Sequence, residues 1–591
     1  MFMYAERFAR KGHKDLDDLQ KTLLEFYHDR EAPFDKASYT KVKIIIRRGS
    51  AFCLLMGEPP FSATPQALAR QDGIMRSACQ ILGVISILYE VARRPEYASF
   101  IVTPPVPLEQ IFLWVEFLHP MNGRPFPLQG VATYKSITSL SMMIRKILVC
   151  DEDYVAPFIR NNPRAMFLVM DLWAHCTTYL RGSGVEHLAQ TIRTVSDSLN
   201  AIVIAVVSDD ASKSAFAHEL NQAVGGNTMR LFQHIAAQTR FLERTETPVS
   251  EITVWSSHFR LARTLLFISG CTDAVSPRRF MRQIISGAQY CLQPQTTART
   301  RDAMREAASL AADVLWELIT GKMSTQNIIH AVKEGMFCLF VQLRMNFGDI
   351  PNVLRLGITL LNSFWLPTVL RAFRSRYKRA LDCDKVTLEQ GKEVASAFHM
   401  HWDAYSICKE IKPWMHAIPC HGDAIEHCGS GVKPCICGEV FYCSQRCQRR
   451  HWYAHHREEC CFTENGVWRL KGAITLKDAT FLIDSAQSAI ARDLASGEMA
   501  TQLAGHEFLP GEQPCICVYL GTASVDILPD AKAIADEFLC PLVRIEGARC
   551  NKNEGSVTVQ LCLRMGKHNV RTSLPFVYSL EQLYKACGVT K

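Results

Sequence analysis

No stretch of these 591 residues reaches 18 consecutive apolar positions; the longest runs, such as Ala201–Val207, have the length of a core helix. A membrane-spanning helix is therefore not expected. The opening MFMYAERFARKGHKDL holds an apolar run of only five residues before Glu6, too short for the core of a secretion signal. Arg7, Arg10, Lys11 and Lys14 leave a mitochondrial presequence as the alternative, against which stand Glu6 and the absence of serine. The expectation is an intracellular protein, of nucleus or cytoplasm, with no membrane partner.

A strong charge of one sign is also missing. Lys and Arg number 66 against 58 Asp and Glu, for a net charge of +8. That is short of the dense basic face that nucleic-acid binding requires, so nucleic acid is not the expected partner. Catalytic signatures are missing too: there is no P-loop, no GxSxG elbow, no HExxH and no dinucleotide fingerprint after a strand. No enzyme is expected. His506, Glu507, Asp526, Asp530 and His568 are polar residues open to a cryptic site near the C-terminus, but no spacing joins them.

Strand patterns are nearly absent before residue 410. Apolar residues instead recur at three and four spacing over Leu16–Tyr27, Ser77–Ala92, Tyr134–Val149, Arg164–Leu180, Val185–Val207 and Met229–Leu242. They continue so over Glu251–Ile268, Arg278–Cys291, Thr300–Ile319, Thr325–Leu343, Val353–Leu366 and Leu388–Ile411. With 48% hydrophobic and 21% charged residues the chain is of ordinary folded composition, and its length calls for two or three folding units. The expected fold class is mainly α: an all-helical region over 1–411, either an armadillo/HEAT-like solenoid or an irregular bundle. The basic run RAFRSRYKR, Arg371–Arg379, reads as the solvated face at a helix end, with Phe373 and Tyr377 anchoring its other side.

After residue 466 the texture changes to a small α+β domain, 466–591. An amphipathic helix is expected over Ala479–Ala495, then strands at Cys515–Leu520, Ser524–Leu528, Leu542–Glu546, Ser556–Met565 and Val570–Tyr578, the last two as a hairpin. Cys515 and Cys517 fall on one face of their strand and read as core, because no nearby histidine or close cysteine pair follows them.

Between these regions lies the densest chemistry. Of 23 cysteines, 14 lie outside residues 408–461, scattered through apolar segments as buried thiols would be. Eight of the remaining nine concentrate in CHGDAIEHCGSGVKPCICGEVFYCSQRCQRRHWYAHHREECC, Cys420–Cys461. Six cysteines, Cys420, Cys428, Cys435, Cys437, Cys443 and Cys447, precede His451, His455, His456, Cys460 and Cys461. Thiolate and imidazole in close pairs are the donors of closed tetrahedral zinc sites, and the number suffices for two zinc ions. A disulfide cluster is the competing reading, disfavoured by the interspersed histidines and the lack of a secretion signal.

FYCSQRCQRRHWYAHHREEC resembles the second half of the MYND zinc finger, with its aromatic, paired cysteines, Gln, Trp, His and Cys at Tyr442, Cys443, Cys447, Gln448, Trp452, His455 or His456, and Cys460. The resemblance implies two cross-braced zinc ions. Cys420, Cys428, Cys443 and Cys447 would hold the first; Cys435, Cys437, a histidine and Cys460 would hold the second. His421 or His427 could replace a cysteine of the widely spaced first pair. His455 stands at the family's distance after Trp452, whereas His456 has the family's three-residue gap to Cys460. SET methyltransferases carry such fingers, but the Asn-His-x-Cys-x-Pro-Asn-like knot and Gly-rich donor loop of that class are absent. The resemblance further implies a peptide groove lined by Gln448 and Trp452, with Ile436 at a third position where a small polar residue is common. It points to a protein–protein adaptor, in transcriptional regulation as in better-known members, that docks a proline-containing peptide. The alternative is nucleic-acid binding by Arg446, Arg449, Arg450 and Arg457 on the finger helix.

Overall fold

Helices begin where a side chain can satisfy the first free N–H groups. Asp35 accepts from Ala37 and Ser38 at 2.7 and 2.8 Å to start Lys36–Arg48. Asp209 with Ser212, and Thr475 with Asp478, form reciprocal boxes at the starts of Asp210–Ala223 and Leu476–Ser496. Such signals recur along a chain that is mainly α-helical, and among the described residues the strands fall in its last third. The computed structural model describes residues 11–28, 35–61, 72–101, 105–122, 131–150, 152–180, 185–244, 252–294, 298–321, 325–348, 350–383, 391–412, 415, 418, 420–422, 431–435, 437, 440–460, 474–509, 512–521, 541–549, 556–565 and 568–588.

The chain divides into two compact units, residues 1–271 with 293–311, and residues 272–292 with 312–591. In the first, Val131–Cys150 packs against both Asp72–Ala92 and Val185–Val206, and the latter continues onto Val254–Ile268. The stretch Gly73–Ala92 is long and apolar enough to cross a membrane by composition, but Ile81, Leu82, Ile85 and Leu88 are fully buried within this helical layer. In the second unit Thr325–Glu334 lies between Arg278–Cys291 and Pro367–Cys383, and the latter contacts Lys392–Ile411 and Leu476–Ser496. Phe337, Phe364, Phe373, Tyr377 and Phe398 form its aromatic core through successive ring contacts.

Several helix expectations need adjustment. The segment expected as one helix over 325–343 is two, Thr325–Glu334 and Met336–Phe347, because Gly335 stands at φ +115° and ends the first. The run at 371–379 lies within Pro367–Cys383 rather than at a helix end, with Phe373 and Tyr377 buried and Arg371, Arg374 and Arg376 exposed. Leu108–Leu118 and Glu152–Asn161 are further helices; the first is apolar almost all round and so carries little period.

The C-terminal region is a four-stranded sheet of order β4-β3-β5-β6, where β3 is Glu512–Leu520, β4 Leu542–Arg549, β5 Ser556–Met565 and β6 His568–Ser579. β3 runs antiparallel to β4 and parallel to β5, and β5 and β6 pair antiparallel as the expected hairpin. Ile516, Val518, Val543, Ile545, Val559 and Leu561 share the apolar face by register, and Leu476–Ser496 packs on the sheet. Ser524–Leu528 lies outside the described residues.

Candidate metal centre

The finger is built on very little regular structure. β1 (Lys433–Pro434) and β2 (Phe441–Tyr442) pair antiparallel, and the Cys435 N–H donates to the Val440 carbonyl at 2.8 Å, closing the turn that carries Cys435 and Cys437. His421 clips the preceding chain to this ribbon. Its N–H donates to the Phe441 carbonyl at 2.8 Å, and its Nδ1 accepts from the Phe441 N–H at 3.1 Å. Ser444 then caps Gln445–His451, its hydroxyl accepting from the Cys447 N–H at 3.2 Å. This cap sets the helix start so that Cys443, just before it, and Cys447, in its first turn, face the same point.

Two groups of donors converge. Cys420, Cys443 and Cys447 have their sulfurs within 4.8 Å of one another, and so do the donor atoms of Cys435, Cys437, His456 and Cys460. The Cys443 and Cys447 sulfurs stand 3.5 Å apart. His456 Nε2 lies 3.3 Å from the Cys435 sulfur and 3.4 Å from that of Cys437. Two ligands on one zinc, at roughly 2.0–2.3 Å each, must lie about 3.3–3.8 Å apart when the angle between them is tetrahedral. The donor set, its spacing and its burial therefore fit zinc. Cys428 and His427 lie outside the described residues, as do Ile436 and Cys461.

The electrostatics of the two groups differ. The Cys437 hydrogen bond, with help from the His456 imidazole, draws the Cys435 thiol down to about 5 against the effect of burial, so this group presents a thiolate. Burial pushes Cys420 up to about 11, opposed by backbone N–H groups of Cys443 and Gly422 that donate to its sulfur at 3.3 and 3.4 Å. Gly422 must be a glycine, because a Cβ there would lie 2.4 Å from Cys447 Cβ.

The choice between His455 and His456 has a structural cause. The backbone from Trp452 to His456 is a π-turn, with the Arg457 N–H returning to the Trp452 carbonyl five residues back. A π-turn accommodates one more residue than an α-turn. The additional residue between Trp452 and the histidine swings His455 out to solvent and brings His456, only 2% exposed, into the second group. His451 takes a different place, with its Nδ1 2.9 Å from the Tyr442 hydroxyl. A bulge of this kind has no marker in composition; the one-residue surplus between Trp452 and Cys460 is its only trace.

Gln448 is exposed on the outer side of the finger helix, opposite buried Cys447. Trp452, one turn on, is half-buried, with its ring edge-on to His456 at 5.6 Å between centroids. Arg446, Arg449, Arg450 and Arg457 are exposed, as are Glu458 and Glu459.

Sequence reasoning did not find the company of Cys515 and Cys517: Cys562, from β5, packs against them. Asp526 and Asp530 lie outside the described residues, and the ring of His506 rests against Phe508 at 4.5 Å.

No curated protein and no solved structure matches the chain. Residues 426–460 match the MYND finger family, and with Cys and Cys/His donors converging around that span the chain carries a MYND zinc finger.

Proposed function

We propose that this protein is a non-catalytic adaptor whose finger holds two zinc ions and docks a partner protein across Gln448 and Trp452. A MYND finger binds zinc and generally mediates protein–protein contact. The single observation that carries the reading is the sidedness of the finger helix. Its inner side delivers Cys447 to the metal group, while its outer side leaves Gln448 and part of the Trp452 ring to solvent. An indole fixed at one edge offers stacking area without a large ordering cost, and a neighbouring carboxamide can pair with a peptide backbone. A proline-containing peptide suits such a surface, because its preset extended backbone loses little entropy on docking. The reading places the adaptor inside the cell, in transcriptional regulation. Exposed Glu458 and Glu459 dilute the arginines beside them, which weighs against nucleic acid.

Affinity capture from the same extract with wild type and Trp452→Ala tests this, with zinc measured in both. Loss of specific partners at unchanged zinc content supports docking at Trp452, and an identical partner set overturns it. Retardation of DNA or RNA that falls steeply with salt would assign the arginines to nucleic acid instead. By native mass spectrometry, two zinc ions should fall to one in each of Cys443→Ser and Cys435→Ser.

A further inference from the structure

The helix Lys392–Ile411 buries one face, through Val394, Ala397, Phe398, His401 and Cys408. Beside that face a further run of apolar residues stays uncovered. Met400 is 36% exposed, Ile407 55% and Ile411 68%, and Ala404 between them is exposed as well. Single apolar residues are scattered over any protein surface, but these four are aligned. Their spacing of four, three and four residues puts them on one stripe of the helix, three turns or about 16 Å long. It is the alternation along which one helix receives another.

The two edges of the stripe differ. On one side His401 and Cys408 are buried, with the Trp365 ring 4.2 Å from that of His401. On the other stand Asp403 and Glu410, seven residues apart and both exposed; among the described residues no cation pairs with either. Lys409 falls on the opposite side of the helix. An incoming helix would therefore meet an apolar seam with one wet, acidic edge, which calls for a basic flank. A second copy of this chain does not supply one. Parallel pairing would set each acid beside positions 401 and 408 of the other copy, already enclosed in its own core, and antiparallel pairing would set acid against acid.

We propose that Met400, Ala404, Ile407 and Ile411 form a docking seam for an amphipathic helix of a partner protein, one whose apolar stripe is flanked by lysine or arginine. The seam is separate from the surface at Gln448 and Trp452 and does not depend on it. Burial of the apolar stripe supplies the attraction, and the acidic edge selects the partner and fixes its register.

The probe is a synthetic helix-forming peptide with leucine at alternating three- and four-residue spacing, flanked by lysine, titrated against the full zinc-loaded chain by fluorescence anisotropy. It should bind, more weakly as salt rises, and at least tenfold more tightly than the same peptide with glutamate in place of the flanking lysines. Ile407→Lys should lower the affinity at least tenfold, whereas Ile204→Lys, at an exposed apolar residue of the first unit, should leave it unchanged. Asp403→Lys combined with Glu410→Lys should reverse the preference, so that the glutamate-flanked peptide binds better. No binding of the lysine-flanked peptide, equal binding by wild type and Ile407→Lys, or no preference between the two peptides would overturn the seam. So would a wild-type dimer in sedimentation velocity that Ile407→Lys makes monomeric, because the face would then belong to a second copy of the chain.

Discussion

Asp478 shows how much one side chain can organise. It is fully buried, and its two oxygens accept from four donors: the Thr475 N–H at 3.0 Å and hydroxyl at 2.6 Å, and the Thr368 N–H at 2.9 Å and hydroxyl at 3.3 Å. It thereby caps Leu476–Ser496 and ties it to the start of Pro367–Cys383, 110 residues away in sequence. Asp478→Ala takes the acceptor from the half-buried Thr368 and the exposed Thr475 and removes the capping box, which should lower the unfolding free energy of the second unit by about 1–3 kcal/mol. Urea denaturation followed by circular dichroism measures this, and a loss below about 1 kcal/mol would show that water or neighbouring groups replace the carboxylate.

Among elements, the π-turn at Trp452–His456 separates two kinds of spacing. Deleting Ala454 should restore an α-turn, keep His456 at its metal group and leave two zinc ions bound. Deleting Glu458 shortens the link from His456 to Cys460 and should lose one zinc. Zinc content by native mass spectrometry distinguishes the two, and equal loss in both would show that the bulge itself is required.

Much of this was legible in sequence, for reasons that differ by element. Helices such as Arg278–Cys291 and Val185–Val206 announce themselves because one face is buried and the other wet, which imposes a period. Leu108–Leu118 buries most of its circumference and so hides its period. In the finger, donor chemistry and close pairs pointed to the metal groups, but the selection of His456 depends on a backbone bulge that leaves no residue preference behind. Cys562 joins Cys515 and Cys517 through a parallel pairing of strands separated by more than thirty residues. That proximity is a matter of topology, and local pattern carries no sign of it.

For the whole molecule, acid should unfold the protein earlier than its mild charge suggests. Burial lowers His258, in the first unit, and His401, in the second, each from 6.5 to about 4. Neutral His258 is accommodated by the Thr239 hydroxyl at 2.9 Å, and His401 packs against Trp365 at 4.2 Å. The unfolded chain takes up these protons first. The stability is therefore complete above about pH 6.5 and drains as pH falls toward 4, by roughly 3 kcal/mol for each histidine. Thermal melts between pH 7 and 4.5 should show this slope, and His401→Phe should flatten it. An unchanged slope in the variant would assign the acid sensitivity to other groups, the zinc thiolates first among them.

The π-turn also bears on how such a finger tolerates change over generations. A one-codon insertion between the tryptophan and the ligand histidine is absorbed as a local swelling of the helix, and the surplus side chain is simply turned outward. The same insertion between His456 and Cys460 would move a ligand. The fingerprint therefore has one elastic interval and one rigid interval, and a search that demands a fixed gap after the tryptophan will pass over chains whose metal groups are intact.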